Sequence, residues 1–265
     1  MKTLYLDLAS HDGLLACVDE KTIVASHAID HRIGDHELIP LFQRTMQEAG
    51  WRNEELTHVA CVVGPGGFMS LRVAVAFANT LIHELKIPGV GVHLSELFFA
   101  RIPSPLLSSS LHITSIPLPI SPWEKGEQLQ HENHHQHIHS PSHVERRLGG
   151  EVESLKKGKE NSSLWLHSTK KNELFVRGFG EFAKLWPEAT HVTTEEFLGK
   201  LSSTLPPRGI PPPFTGELIP EHEALIRGKG MVPVVLRPIE EVLPTFFQKR
   251  KYEQKLLVPW YGRTG

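Results

Sequence analysis

The first hundred residues alternate between short apolar runs and two longer stretches with helical periodicity. Between the runs, apolar residues recur every three or four positions over residues 35–49 and 70–85, which predicts two helices. The apolar runs themselves predict strands at residues 3–8, 14–18, 22–28, 58–63 and 89–92. The predicted order is therefore three strands, a helix, a strand, a helix and a strand.

This order is typical of an α/β protein with a ribonuclease H-like fold, in which helices pack on a mixed sheet. Actin-like ATPases, sugar kinases and nucleases share the fold, so the fold alone does not choose among their functions. After residue 102 the pattern weakens. Strands are predicted at residues 163–167 and 173–177, and Thr193 to Glu196 predicts the cap of a short helix ending near Leu201. Residues 232–236 form a last strand candidate, which Pro233 would confine to a sheet edge.

The composition divides the chain into four predicted parts. Residues 1–102 form an N-terminal domain, and residues 103–163 form an insert rich in proline, serine and histidine that we expect to be mobile. Residues 164–237 form a reduced C-terminal half-domain, and residues 238–265 are expected to be a polar, partly basic tail.

The second predicted helix is apolar nearly all round, which predicts burial on two sides. Its own sheet can cover one side. Either the C-terminal part of the same chain or a second protein can cover the other, and the sequence leaves both readings open.

Overall composition sets limits on function. The chain has 265 residues, a formal net charge of -2 and 40% hydrophobic residues. These values exclude a wholly disordered chain and a strongly basic nucleic-acid coat. Both cysteines, Cys17 and Cys61, lie in apolar runs and are expected to be buried, reduced thiols. No apolar run approaches the roughly 18 residues that a membrane-spanning helix needs, so a cytoplasmic protein without membrane contact is expected.

A dense histidine tract lies in the predicted insert. His131, His135 and His139 have i,i+4 spacing, which on a helix would place imidazoles together for zinc. Nothing in the surrounding sequence predicts a helix, so a solvated, weakly metal-binding loop is the favoured interpretation and no metal site is assigned.

Two turns could bind an anion or a nucleotide. Asp7 and Ser10 follow the first strand, and a glycine run follows the fourth. Glycines allow close approach of the backbone, and the amides at a helix start can bind an anion. The second turn contains Gly64, Gly66 and Gly67. Ser70 can cap the helix that follows, and Arg72 lies in the first turn of that helix. The alternative to anion binding is a structural role, in which Asp7 caps a turn and the glycines form a strand-to-helix turn. A two-metal nuclease is not expected, because the fourth strand ends without an acidic residue.

The glycine run carries a family resemblance. Residues 64–73, G-P-G-G-F-M-S-L-R-V, resemble the G-P-G-S-F-T-G-L-R-I/V run of the TsaB (YeaZ) family. Three other segments resemble family motifs and occur in the same order along the chain. Residues 6–10 resemble I-D-T-S-T, residues 36–40 resemble H-S-E-x-L-L-P, and residues 87–97 resemble G-I-P-V-I-G-V-S-S-L. Residues 170–175 and 232–237 carry thinner matches. Gly67, Met69 and Ser70 depart from the main motif.

The resemblance implies a non-catalytic subunit that binds and supports TsaD in making threonylcarbamoyladenosine (t6A) in tRNA. It implies a TsaD-like protein and a TsaE-like ATPase as partners, tRNA contact through the complex and no cofactor, with a homodimer as an alternative assembly. His93 is followed four residues on by Leu97, so the histidine pair of TsaD is absent. Pairing through the two N-terminal helices would involve Leu38, Leu41, Phe42, Thr45, Leu71, Val75, Ala78 and Leu81. The remaining alternative is an ATPase or kinase of the actin-like fold that binds ATP at Asp7 and the Gly64 to Gly67 turn.

Overall fold

A computed structural model describes residues 1–30, 35–103, 162–205 and 211–262. Met1–Pro103 and Asn161–Gly265 together form one compact unit. Residues 104–161 of the predicted insert, including the histidine tract, lie outside the described residues, and Ser163 begins a strand. No helix in the described chain is both long and apolar enough to cross a bilayer.

The first sheet consists of β1 (Thr3–Asp7), β2 (Asp12–Val18), β3 (Ile23–Asp30), β4 (His58–Gly64) and β5 (Gly89–His93). It is mixed and has the strand order β3-β2-β1-β4-β5. Its central strand β1 is antiparallel to β2 and parallel to β4. Leu4 and Leu6 pack on one face with the helices of residues 35–48 and 68–85, while Tyr5 packs on the other face with the helices of residues 94–101 and 239–248.

Three helices accompany this sheet: α1 (Asp35–Glu48), α2 (Phe68–Leu85) and α3 (Leu94–Arg101). The sequence prediction of α1 and α2 is confirmed, and α3 was not predicted. Helix α2 begins two residues before Ser70, so its N-cap is Gly67 and the expected cap by Ser70 is wrong. Its end at Lys86, which has a φ of 54°, matches the left-handed turn that commonly closes a helix.

The second sheet has the order β8-β7-β6-β9. The strands are β6 (Ser163–Lys170), β7 (Glu173–Phe179), β8 (Thr190–Thr193) and β9 (Phe214–Glu217), with helices α4 (Thr194–Thr204) and α5 (Pro220–Gly228). The predicted cap of α4 is confirmed, because the Thr193 hydroxyl accepts from the amide of Glu196 and the Glu196 carboxylate accepts from the amide of Thr193. The predicted strand at residues 232–236 is wrong: only Pro233 bridges to Phe214.

The expected polar tail contains a core helix, α6 (Ile239–Gln248). Val242, Leu243, Phe246 and Phe247 are buried and pack against Tyr5 and α3. Their spacing places all four on one helix face. The prediction of a solvated tail is therefore wrong from residue 239 to 248.

A C-terminal arm, residues 250–262, continues from α6 along the first sheet. Glu253 exchanges two backbone hydrogen bonds with Gly89 of β5, at 2.9 and 3.0 Å. The side chain of Asn79 on α2 bonds both the amide and the carbonyl of Leu257, at 2.7 and 3.0 Å. The arm thus covers the edge of β5 and a flank of α2, so the same chain supplies part of the cover that the apolar pattern of α2 demanded.

Candidate functional site

A cavity of about 360 Å³ lies where the β1–β2 turn, the glycine turn after β4 and the end of β6 meet. Four of the seven sequence-predicted turn residues line it: Ser10, Gly66, Gly67 and Ser70. The other lining residues are Leu8, Ala9, His11, His167, Ser168, Thr169 and Phe175. No lysine or arginine is among them, so within the described chain this cavity lacks the cation that phosphate binding usually employs.

Asp7 is buried behind the cavity, and its carboxylate accepts hydrogen bonds from the turn that follows β1. Its Oδ1 accepts from the amides of Ala9 (2.8 Å) and Ser10 (3.1 Å). Its Oδ2 accepts from the hydroxyls of Ser10 (2.5 Å) and Tyr5 (3.4 Å). Burial raises the pKa of Asp7, and these hydrogen bonds oppose that rise. The structural interpretation of Asp7 as a turn cap is confirmed.

Packing explains two glycines of the second turn. A Cβ on Gly64, whose φ is 147°, would lie 2.3 Å from the carbonyl oxygen of Trp260 in the C-terminal arm. A Cβ on Gly66 would lie 2.7 Å from the Cβ of Ala9. Two neighbouring backbones therefore approach this turn so closely that a side chain does not fit.

Arg72 does not line the cavity. It is exposed, and its guanidinium lies 5.2 Å from the centre of the Phe68 ring, which is a cation–π distance. The guanidinium of Arg72 thus packs on an aromatic ring of its own helix.

The second wall of the site comes from the C-terminal half, which sequence reasoning did not identify. His167 of β6 pairs in register with Glu217 of β9, and its Nδ1 lies 3.7 Å from the Oε2 of Glu217. Burial and then Asp7 raise the pKa of Glu217 to about 8. Burial and then His11 lower the pKa of His167 to about 4. Burial therefore disfavours the charged form of each partner.

His93, the residue where the resemblance would place a metal-binding pair, is engaged in other contacts. Its Nδ1 accepts from the amide of Ser95 at 3.2 Å, and the Ser95 hydroxyl lies 2.7 Å away. The ring packs edge-on against Trp260, with centres 4.5 Å apart. Burial, followed by Arg177 and then His167, lowers the pKa of His93 to about 4. Leu97, four residues on, is buried.

Most of the predicted interface residues belong to the chain's own core. Leu38, Phe42, Thr45, Leu71, Val75 and Ala78 are buried, whereas Leu41 and Leu81 are partly exposed. A second polypeptide would therefore reach the other faces of these helices. Exposed positions there include Ile39, Pro40, Gln43 and Arg44 on α1 and Arg72, Ala76, Thr80 and His83 on α2. We call this set the outer face.

The remaining candidates are the two cysteines and the histidine tract. Cys17 and Cys61 are buried free thiols, as expected, and burial raises the pKa of Cys17 to about 12. The described residues contain no group of three or more histidine, cysteine or acidic side chains suited to a metal ion. His131, His135 and His139 lie outside those residues.

Two solved structures have the same fold as this chain. A solved structure described as an uncharacterised protein with similarity to peptidase YEAZ from Pseudomonas aeruginosa superposes with a TM-score of 0.55. It is 13% identical and covers 99% of both chains. YeaZ from Pseudomonas aeruginosa superposes with a TM-score of 0.51 at 13% identity, covering 98% of this chain and 99% of its own. The chain has a YeaZ-like fold. This confirms the predicted actin-like, ribonuclease H-like fold class.

The sequence also matches a family model. Residues 31–103 match that of TsaD, described as tRNA N6-adenosine threonylcarbamoyltransferase. The match spans α1, β4, α2, β5 and α3 of this YeaZ-like protein. It therefore includes both helices of the outer face.

Proposed function

We propose that this YeaZ-like protein is a non-catalytic subunit that binds a TsaD-like protein and supports t6A modification of tRNA. The observation that carries the proposal is the combination of a YeaZ-like fold over the whole chain with a TsaD-family match over α1 to α3. A TsaE-like ATPase would join the complex, tRNA would be contacted through it, and the complex would work in the cytoplasm.

The side chains at and behind the first cavity favour a supporting, non-catalytic role. Asp7 accepts three hydrogen bonds from its own turn and a fourth from Tyr5, and the Nδ1 of His93 is engaged with Ser95. Burial also disfavours the charged forms of Glu217 and His167. The carboxylate of Asp7 is therefore occupied in closing its own turn.

The outer face of α1 and α2 is the surface that a partner would cover. It combines an apolar residue, Ile39, which is 55% exposed, with the small side chain of Ala76 and two arginines, Arg44 and Arg72. Small and apolar residues let helices approach closely, and arginine is common at protein interfaces. A homodimer through this same face remains the alternative assembly.

Co-purification with the organism's TsaD homologue tests the proposal. Ala76→Glu places a charge on the outer face and should weaken the complex at least tenfold, whereas Ala224→Glu, an equally exposed alanine on α5, should leave it intact. Ala78 is unsuitable because it is fully buried in the chain's own core. A complex that survives Ala76→Glu unchanged, or a TsaD homologue that never co-purifies, would contradict the proposal.

The nucleotide-binding alternative keeps one observation in its favour, the cavity beside the glycine turn. Calorimetry with ATP and magnesium distinguishes the two functions. Heat of binding that Gly67→Val abolishes would favour a nucleotide site, because Gly67 lines the cavity and a Cβ there would only be in ordinary contact with Ser70, at 3.4 Å. We expect no such heat.

A further inference from the structure

A second cavity, of about 340 Å³, lies between the end of α3 and one face of α6. Three of its lining side chains are cationic, namely Arg237, Lys249 and Arg250, and none is acidic. Its volume is at the lower end of the range for small-ligand pockets, which is about 300–1,000 Å³. The cavity can therefore accept a small group that carries negative charge.

The neighbouring acids do not neutralise these cations. Glu96 lies 2.8 Å from a guanidinium nitrogen of Arg250 and 3.9 Å from one of Arg177, so a single carboxylate serves two arginines. Lys249 has no ion-pair partner among the described residues. The acids of α6 lie in its first turn and do not line the cavity. A positive excess therefore remains at the cavity.

Two of the cations are held in place before any ligand arrives. Arg237 donates from Nη2 to the carbonyl of Ala100 at 2.6 Å, and its own carbonyl accepts from Nε of Arg101 at 3.0 Å. The guanidinium of Arg250 lies 4.1 Å from the centre of the Phe246 ring. Fixed guanidinium groups match the oxygens of a phosphate and lose little side-chain entropy on binding.

A purely structural role explains only part of this arrangement. Arg237 stabilises the last turn of α3, and Arg250 ties α6 to Glu96. Neither role accounts for Lys249 at the same cavity. Nor does it account for the Nε of Arg237, which is buried without a hydrogen-bond partner in the described chain. An unsatisfied buried donor is costly, so packing alone does not explain this arginine.

We propose that the cavity between α3 and α6 binds a phosphate group. The arginines supply paired donors, and Lys249 supplies a mobile charge at the exposed end of α6. The phosphate can belong to an RNA backbone or to a free phosphorylated small molecule, and the chemistry of recognition is the same. The site uses neither the outer face nor the first cavity, so it goes beyond the proposed function.

The test uses the full chain with two probes, inorganic phosphate followed by calorimetry and a fluorescein-labelled RNA stem–loop followed by anisotropy. Lys249→Gln removes a cavity charge from an exposed position and should weaken binding about tenfold. Lys251→Gln is the matched control, because Lys251 is also exposed but does not line the cavity. Thermal melting of both variants checks that each is folded.

The two probes separate the sources. Loss of both phosphate and RNA binding in Lys249→Gln supports an RNA phosphate, with the salt dependence of RNA binding falling by about one charge. Loss of phosphate binding alone supports a free phosphorylated ligand. Wild-type protein that binds neither probe, or equal weakening by the two lysine variants, overturns the proposal.

Discussion

Phe247 provides the sharpest test of the finding that residues 239–248 belong to the core. Its side chain is fully buried, and its ring centre lies 5.4 Å from that of Tyr5 on the central strand β1. A second ring, Phe246, lies 5.6 Å away. Phe247→Ala removes a large side chain that touches both α6 and the sheet, so a cavity would remain that the neighbouring strands cannot fill.

The expected loss is about 3–5 kcal/mol in the free energy of unfolding, the range for truncating a buried phenylalanine. Because a domain is typically stable by about 5–15 kcal/mol, this loss would be a large fraction of the total. Urea denaturation followed by tryptophan fluorescence measures it, since Trp165 is fully buried in the same core cluster.

Val235→Ala is the control, because Val235 is 84% exposed and should change stability by less than about 0.5 kcal/mol. A solvated tail would make the two substitutions equivalent. A loss below about 1 kcal/mol for Phe247→Ala would therefore refute the placement of α6 against β1.

Three further outcomes follow from the structure. Since burial raises the pKa of Glu217 from 4.5 to about 8, the stability that this group contributes should be fully present below pH 4.5 and be lost as pH rises through about 8; Glu217→Gln should flatten that loss in thermal melts. Asn79→Ala removes two hydrogen bonds to Leu257, should cost about 1–3 kcal/mol, and should speed proteolysis of the C-terminal arm. Gly66→Ala should destabilise by about 1–3 kcal/mol in urea titrations, because its Cβ would overlap the β1–β2 turn, whereas Gly67→Ala should cost less than about 1 kcal/mol.

Helix and strand positions in the N-terminal half followed from local pattern. The periodicity that predicted α2 holds because Leu71, Ala74, Ala78 and Ile82 form one buried face. Helix α6 has the same kind of face, but Pro244 obscured it, since proline is rare in helix interiors. Pro244 is nevertheless accommodated in the helix, where it is buried.

The wall of the candidate site that the C-terminal half supplies could not be predicted, because its residues are distant along the chain from the first two turns. Ser10 and Gly66 belong to turns with recognisable residue types. Glu217 reaches the same region only because β9 runs parallel to β6 and is in register with His167. Parallel pairing leaves no local signal in the sequence, so neither the buried acid nor its histidine neighbour could be connected to Asp7 in advance.

Close packing constrains part of the glycine turn. Gly64 admits the carbonyl of Trp260, and Gly66 admits the backbone of Ala9, so the closing of the arm and of the first turn both require glycine there. Gly67 meets neither constraint and borders open cavity. Packing thus accounts for the first two glycines, and the third is the position where the chain is physically free to take the serine that the TsaB motif carries.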